Sequence, residues 1–417
     1  MSASYVSKHI LYLSYDGMTD ALGQSQVLPY LCGLSQLGYQ FTIISFEKTD
    51  KFEQFSQHIA GLCRKYGIKW IPMTYTKRPP VFSSIYDLVK GYFMAVKLHR
   101  LTPFSIVHCR SYMVSLIGLR LKRRFGLKFI FDMRGFWADE RVEGKLWNLK
   151  NPLYRLIYRF FKQRESVFLN EADATLCLTH RAVNEMKTRE NLNPSKISFT
   201  VIPCCTDMEL FNPEKIEETH KKELRSALGI DADDFVLTYT GSLGTWYLLP
   251  EMLDFFLVLK TRHPKSKMLF VNGNLPEQAL IRIEAEKRGL TSSVIVTQSP
   301  YTRMPLYISI SNWAIFFILP SFSKIASSPV KQGELMSMGI PVFCNQGIGD
   351  SDHIVLQSKA GIVVQGFTTE HYLTAINEAL NMNPPPDHKE ICLKAELYFS
   401  LEEGIRQYAS VYQSVLS

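Results

Sequence analysis

The sequence predicts an α/β protein of two doubly wound domains, each a parallel sheet covered by helices on both faces. Three observations lead there. The chain has 417 residues, and at roughly 100–200 residues per domain this suits two domains, each able to bury its own core. Short runs that are apolar throughout alternate with helix-length amphipathic stretches, the pattern of strands buried on both sides of a parallel sheet. The alternation pauses once, between Pro203 and Ile230, where Pro213 and the polar residues 214–222 read as a hinge and a short helix.

In the first half, residues 10–15, 41–46, 68–73, 106–108, 129–132, 175–178 and 199–202 are the strand candidates. A Gly-containing loop follows the first of them, and residues 26–37 then read as a helix stopped at Gly38. In the second half the strands are residues 235–240, 267–271, 294–296, 313–319, 341–344 and 361–364. The domains are expected at 1–205 and 206–400, with a terminal helix 401–417 rejoining the first. No short-period repeat or low-complexity tract interrupts this plan.

A hydrophobic content of 46% with 21% charged residues is ordinary globular composition and excludes disordered, collagen-like and coiled-coil chains. The longest apolar run, residues 313–320, falls far short of the roughly 20 residues a membrane span needs. Residues 10–13 are too short for a signal-peptide core, so the expected location is the cytoplasm, extending to the inner face of the membrane. The 8 cysteines form no Cys-x-x-Cys pair and no zinc-type spacing, and read as reduced thiols.

Charge is divided unevenly. Residues 1–205 hold 29 Lys and Arg against 15 Asp and Glu, a net +14, whereas residues 206–417 hold 18 against 24, a net −6. A cationic half gathers anionic ligands such as phosphates or lipid headgroups.

Ligands of open α/β sheets bind beyond the carboxyl ends of the strands, so the loops there are the informative ones. The first is residues 16–26, where Gly23 lets backbone amides approach an anion, Gln24 lies beside it, and Ser25 is expected to cap the helix. It is not Gly-x-Gly-x-x-Gly, and the second strand ends in Phe46-Glu47-Lys48, offering only Glu47 as an acidic ribose partner; both weaken a dinucleotide oxidoreductase reading. His108-Cys109-Arg110-Ser111 and Asp132-Met133-Arg134-Gly135-Phe136-Trp137 end two further strands. Charged groups beside aromatics at strand ends suit a ligand, and an Asp132–Arg134 ion pair within the loop is the plainer alternative.

The most specific segment is residues 323–342. A small-residue loop containing Ser328 leads to Pro329, a helix opens there with Lys331 in its first turn, and Gly339 ends it before Pro341. Lysine at a helix start runs against the dipole, which a bound diphosphate would explain. Glu334, three residues on, shares that face and suits a pair of ribose hydroxyls. The alternative is an exposed Lys/Glu pair.

At these residues the sequence resembles the retaining glycosyltransferases of family 4, which have the GT-B fold of two Rossmann-like domains facing a central cleft. Val201-Ile202-Pro203-Cys204-Cys205-Thr206-Asp207 with Leu210-Phe211, Ala172-Asp173-Ala174, Tyr239-Thr240-Gly241-Ser242-Leu243, and Ser328-Pro329-Val330-Lys331 with Glu334 and Gly339-Ile340-Pro341-Val342 carry the likeness. The resemblance implies an acceptor-binding first domain, a sugar-nucleotide-binding second domain, and transfer without a bound metal or other cofactor. By it, Glu334 would hold the nucleotide ribose and Gly23 would face the donor phosphates. Arg134 would stand near the transferred sugar, where many members have a His. Arg134, Lys331 and Asp132 are the expected catalytic residues; Gly23, Gln24, Ser242, Ser328, Lys331 and Glu334 the donor-binding ones; His108, Arg110 and Trp137 those on the acceptor side.

There are departures. A second glutamate common in the family is Ala326 here, the Arg and Lys that often clamp the diphosphate after Gly241 are replaced by Ser242 and Tyr247, and Cys204-Cys205 stands for Asn-Gly. Phosphate neutralisation would then fall on Lys331, Arg134, Arg110 and backbone N–H groups. From family frequency, a UDP-sugar is the first expectation and GDP-mannose, a GDP-sugar, the second. The acceptor is expected to be a glycan or a polyprenyl- or other lipid-linked molecule in polysaccharide or glycolipid biosynthesis. Residues 153–168 form a basic aromatic helix that suits contact with an anionic membrane, with a core helix as its alternative, and Arg120, Lys122, Arg123, Arg124 and Lys128 form a second cationic cluster. A sugar-nucleotide epimerase, a phosphorylase or a non-catalytic sugar-nucleotide or polysaccharide binder are the competing readings. Nucleic acid is not an expected partner, because the basic residues belong to a βα framework without a reader motif.

Overall fold

The computed structural model describes residues 8–417. The chain forms two compact units, one ending at Pro203 and taking back Leu401–Ser417, the other Cys204–Ser400. Each is a parallel sheet, and every strand expected from the sequence is present.

In the first unit the strands are β1 (His9–Ser14), β2 (Gln40–Glu47), β3 (Lys69–Thr74), β4 (Ile106–Arg110), β5 (Lys128–Asp132), β6 (Ala174–Cys177) and β7 (Phe199–Val201), in the order β3-β2-β1-β4-β5-β6-β7. Strand order reverses direction between β1 and β4. The register there sets Tyr12 beside His108 and Ser14 beside Arg110, and the next strand sets Arg110 beside Asp132. Three of the expected site residues therefore sit on adjacent strand ends.

The single helix expected over 26–37 is two, Ala21–Gln26 and Leu28–Gln36. Pro29 has no amide proton and clashes with a preceding helical turn, so the chain breaks at Val27 and Pro29 falls in the first turn of the second helix. Ser25 is not a cap: its hydroxyl donates to Ala21 O, 2.8 Å away inside the first helix.

The helix Pro152–Glu171 covers the basic aromatic stretch. It buries Phe161, Glu165, Phe168 and Leu169 and leaves Leu153, Leu156 and Phe160 exposed. The second cationic cluster is largely tied down: Lys122 Nζ lies 2.6 Å and Lys128 Nζ 3.9 Å from Asp173, Arg123 pairs with Glu171, and Arg124 donates to the Tyr92 hydroxyl.

The second unit's strands are β8 (Phe235–Thr240), β9 (Ser266–Val271), β10 (Val294–Thr297), β11 (Trp313–Phe316), β12 (Val342–Asn345) and β13 (Gly361–Val364), in the order β10-β9-β8-β11-β12-β13. Its order reverses between β8 and β11. The apolar run continues past Phe316 but leaves the sheet: Leu248 N donates to Phe317 O, Leu319 N donates to Trp246 O, and Ile318 forms an antiparallel bridge with Tyr247.

Among the described residues no helix is long and apolar enough to cross a membrane. All eight cysteines are free thiols, seven of them buried.

Candidate functional site

In the second unit, the crevice where strand order reverses is flanked by the loop after β8 and the segment after β11, the place where such sheets take ligands. The β8 loop turns at Gly241 and Gly244, both at positive φ (85° and 55°), conformations that a side chain at either position would strain. Its shape is fixed from below. The Glu277 carboxylate accepts from the amides of Leu243 (2.8 Å) and Gly244 (3.0 Å) and from Asn272 Nδ2 (2.6 Å), which also donates to Gly241 O. Burial pushes the Glu277 carboxyl up, but these donors outweigh it and hold it below its ordinary value. The Ser242 carbonyl accepts from the Tyr239 hydroxyl at 2.7 Å.

The helix Val330–Ser337 opens after Pro329, and Ser328 Oγ accepts from Cys204 N at 3.1 Å. The sequence led to an exposed helix start or an exposed Lys/Glu pair; here every residue from Lys331 to Ser337 is buried. Lys331 is 7% exposed, and its Nζ lies 3.8 Å from the ring centroid of Tyr239 and 3.5 Å from that of Tyr247. The bridge to Ile318 holds Tyr247 there. Among the described residues this amine has no hydrogen-bond partner, and a Cβ on Gly241 would stand 3.8 Å from it. Burial drives its pKa well below the ordinary lysine value, against the pull of Glu334 and Glu277. Glu334, equally buried, accepts from the Tyr301 hydroxyl at 3.0 Å, and Tyr301 packs edge-on against Phe211. Burial pushes Glu334 up to about 7, opposed by Tyr301 and Lys331. A cation without hydrogen-bond acceptors beside an acidic group that lacks a strong donor suits a ligand carrying both an anion and hydroxyls.

In the first unit, Arg110 is 5% exposed; its Nε is 4.0 Å from Asp16 Oδ2, and neither Nε nor Nη1 has a hydrogen-bond partner. Asp132 stands between His108 Nε2 at 3.5 Å and Arg134 Nη1 at 3.9 Å, so the ion pair foreseen as the plainer alternative is present. Burial works to raise the Asp132 carboxyl, but Arg134, His108 and Arg110 hold it below its ordinary value. Arg134 has a left-handed backbone, φ 57°.

His108, expected on the acceptor side, has no exposed surface. Its Nδ1 meets the Tyr412 hydroxyl at 2.8 Å and its ring stacks on Tyr408, both from the helix Leu401–Leu416. Burial lowers its pKa, against the pull of Asp132. Trp137 lies in an aromatic cluster with Tyr112, Trp147 and Phe161, with Arg141 over its face.

The first loop is braced internally. Met18 N and Thr19 N donate to the buried Glu47 carboxylate at 2.9 and 3.1 Å, so Glu47 holds this loop. Gln24 Nε2 donates to Thr19 O, and a Cβ on Gly23 would come within 2.3 Å of Gly17 O. Both residues thus pack the short helix against the loop. Among the described residues, Asp231, Asp233 and Asp234 are the group close enough to share a metal ion, and they precede β8, at the opposite end of that strand from Gly241.

Sequence reasoning missed Tyr301, Glu277 and Asn272. Asn272 directly follows β9 and Glu277 lies in the first turn of the helix Leu275–Lys287 that comes next, a signal legible at that strand end; the Tyr301 contact with Glu334, 33 residues away, is not.

Comparison with known proteins follows this division. The model of Glycosyltransferase Family 4 matches residues 25–210, and that of Glycosyl transferases group 1 matches residues 220–392. The alpha-monoglucosyldiacylglycerol synthase of Streptococcus pneumoniae is 23% identical over 316 residues, 74% of this chain, and the chain spans 66% of that relative's length. Among solved structures, a glycosyltransferase from Rickettsia africae superposes with a TM-score of 0.70 at 14% identity, covering 99% of this chain and 100% of its own. Sucrose-phosphate synthase from Thermosynechococcus elongatus gives 0.71 at 17%, covering 97% and 98%. HepE from Anabaena, solved with UDP and glucose, gives 0.69 at 14%, covering 96% and 98%. At these identities the structures show a shared fold.

Proposed function

Because the chain belongs to the family 4 glycosyltransferases, we propose that it moves a sugar, with retention of configuration, from a nucleotide-sugar donor to a lipid-linked or glycan acceptor. The observation that carries this is the buried Lys331 amine, without a hydrogen-bond partner among the described residues, one helical turn from Glu334. A UDP-sugar is favoured over a GDP-sugar, supported by the neighbour solved with UDP and glucose. A lipid acceptor is supported by the relative named for a glycosyldiacylglycerol product. With such an acceptor the reaction would take place at a membrane surface, and the cytoplasmic face is the one proposed.

In this reading the bond between the anomeric carbon and the donor phosphate breaks as the acceptor oxygen bonds to that carbon, and the departing phosphate takes the acceptor proton. Negative charge grows on the diphosphate. Lys331 offsets it from a site already stripped of water, so no solvent has to reorganise; such a group contributes about 3 kcal/mol. Glu334 accepts from the ribose hydroxyls, and the Gly241 turn lets backbone come close to the phosphates. In the first unit, Arg110 and Arg134 are assigned to anionic groups of the acceptor, with Asp132, itself supported by His108, orienting Arg134.

A thermal-shift series with UDP-glucose, UDP-galactose and GDP-mannose tests the donor. At 100 times its dissociation constant a specific donor adds about 2.7 kcal/mol of stability. The expected result is a shift with a UDP-sugar that Lys331→Ala abolishes, followed by a glycolipid product of the corresponding mass. No shift with any sugar nucleotide would overturn the reading.

A further inference from the structure

The helix Phe82–Leu101 buries small and polar residues on its inner side and carries its large apolar side chains on the opposite, exposed side, which packing within one unit does not require. Its inner side is anchored: Ser83, Asp87, Gly91 and Ala95, four residues apart, are buried. Asp87 accepts from Thr76 N at 2.9 Å and Thr76 Oγ1 at 2.8 Å, and a Cβ on Gly91 would touch Phe46 and Ile117. On the outer side Phe82, Ile85, Tyr86, Val89 and Phe93 all stand exposed, Phe82 at 71% and Phe93 at 65%. At 100° per residue these five fall within an arc of roughly 100°, a continuous stripe over three turns. Large apolar side chains gathered in one patch mark an interaction surface, whereas the same residues scattered singly would not.

Charge identifies what covers it. Lys77 and Arg78 just before the helix and Lys97 and Arg100 in its last turns are exposed, and the one acid between residues 75 and 101, Asp87, is fully buried. An apolar stripe in a segment whose exposed charges are all cationic fits the boundary between acyl chains and anionic headgroups. A second copy of the chain would instead bring two such cationic segments together, which like charge opposes.

We infer that the outer face of the helix Phe82–Leu101 seats the first unit in the headgroup layer of an anionic bilayer. This is a different surface from the basic aromatic helix Pro152–Glu171. The surface argument stands on the helix itself; only its purpose, bringing the site to a lipid-linked acceptor, rests on the proposed function.

The test is sedimentation of the full chain with vesicles of phosphatidylcholine alone and of phosphatidylcholine with phosphatidylglycerol. Wild type is expected to sediment with the anionic vesicles and to be released by salt. Phe82→Ser/Ile85→Ser/Phe93→Ser should reduce the bound fraction by about 10-fold or more, and Lys97→Glu/Arg100→Glu should reduce it on anionic vesicles. Both variants alter exposed side chains, so the thermal unfolding midpoint and the shift given by UDP should match wild type. Wild type left in the supernatant, or a triple variant that binds as well as wild type, overturns the inference. So does light scattering that shows a dimer broken by the triple variant without any vesicle binding. Vesicle binding lost in the variants, with no sugar nucleotide stabilising wild type, would uphold the surface while removing the proposed function.

Discussion

Lys331 Nζ lies 3.5 Å from the ring centroid of Tyr247 and makes no hydrogen bond among the described residues. An aromatic face attracts a cation by up to about 2 kcal/mol when water is excluded, well short of a full set of hydrogen bonds. Burial disfavours the charged form of this amine, and a bound diphosphate would restore it. Lys331→Ala should lower kcat by about 100-fold or more with the circular dichroism spectrum unchanged. Turnover equal to wild type would take Lys331 out of the site.

Tyr247 stands where, by resemblance, other members carry a diphosphate-clamping cation, and its ring faces Lys331, to which the proposed function assigns that charge. Moving the cation back is thus a direct test. In a Lys331→Ala background, Tyr247→Lys should restore about 10-fold in kcat/KM, or about 1.4 kcal/mol. A double variant no better than Lys331→Ala would show that the two positions do not share a ligand.

Glu334 is raised from 4.5 to about 7 by burial. The folded state therefore holds this proton more tightly than the unfolded chain, so stability falls as pH rises from 4.5 to about 7 and is level above. The full loss is about 3 kcal/mol. Glu334→Gln does not titrate, so urea denaturation should show its advantage over wild type growing through that window. UDP binding by wild type should run the other way, strengthening as pH rises through about 7, because the ionised carboxylate is the better acceptor for ribose hydroxyls. A variant whose stability tracks wild type at every pH would contradict the assignment.

Tyr412 closes the first unit by meeting His108 Nδ1 at 2.8 Å. Tyr412→Phe leaves a fully buried ring nitrogen unpaired and should cost about 1–3 kcal/mol in chemical denaturation. The shift given by UDP should be unaffected, since donor binding is assigned to the second unit. A neutral effect on stability would mean that the histidine finds another partner.

The strands were legible because burial on both sheet faces leaves an unbroken apolar run whatever the rest of the chain does. Their ends were less so. Residues 317–319 read as strand, yet they pair with the loop at residues 246–248, and hydrogen-bond partners far along the chain do not show in local composition. Pro29 was a readable break that the amphipathic pattern around it masked.

At the site, Lys331 and Glu334 were found from their place in a helix start after a small-residue loop. Their burial is not legible locally, because it depends on Tyr239 in β8, Tyr247 in the loop after it and Tyr301 in the turn after β10. The same holds for Gly23 and Gln24. Both were chosen for an anion, and both are seen packing their own loop, since the Glu47 that orders it arrives from the next strand.

Residue order by itself determined the two parallel sheets and the strand ends at which chemistry collects, because apolar runs and helix punctuation are local properties. Only the folded chain decided that the lysine is buried between two rings, that His108 lies under the last helix, and that the helix Phe82–Leu101 shows a greasy outer face. Each of these depends on which distant side chains exclude water from a given atom, and that is settled by packing.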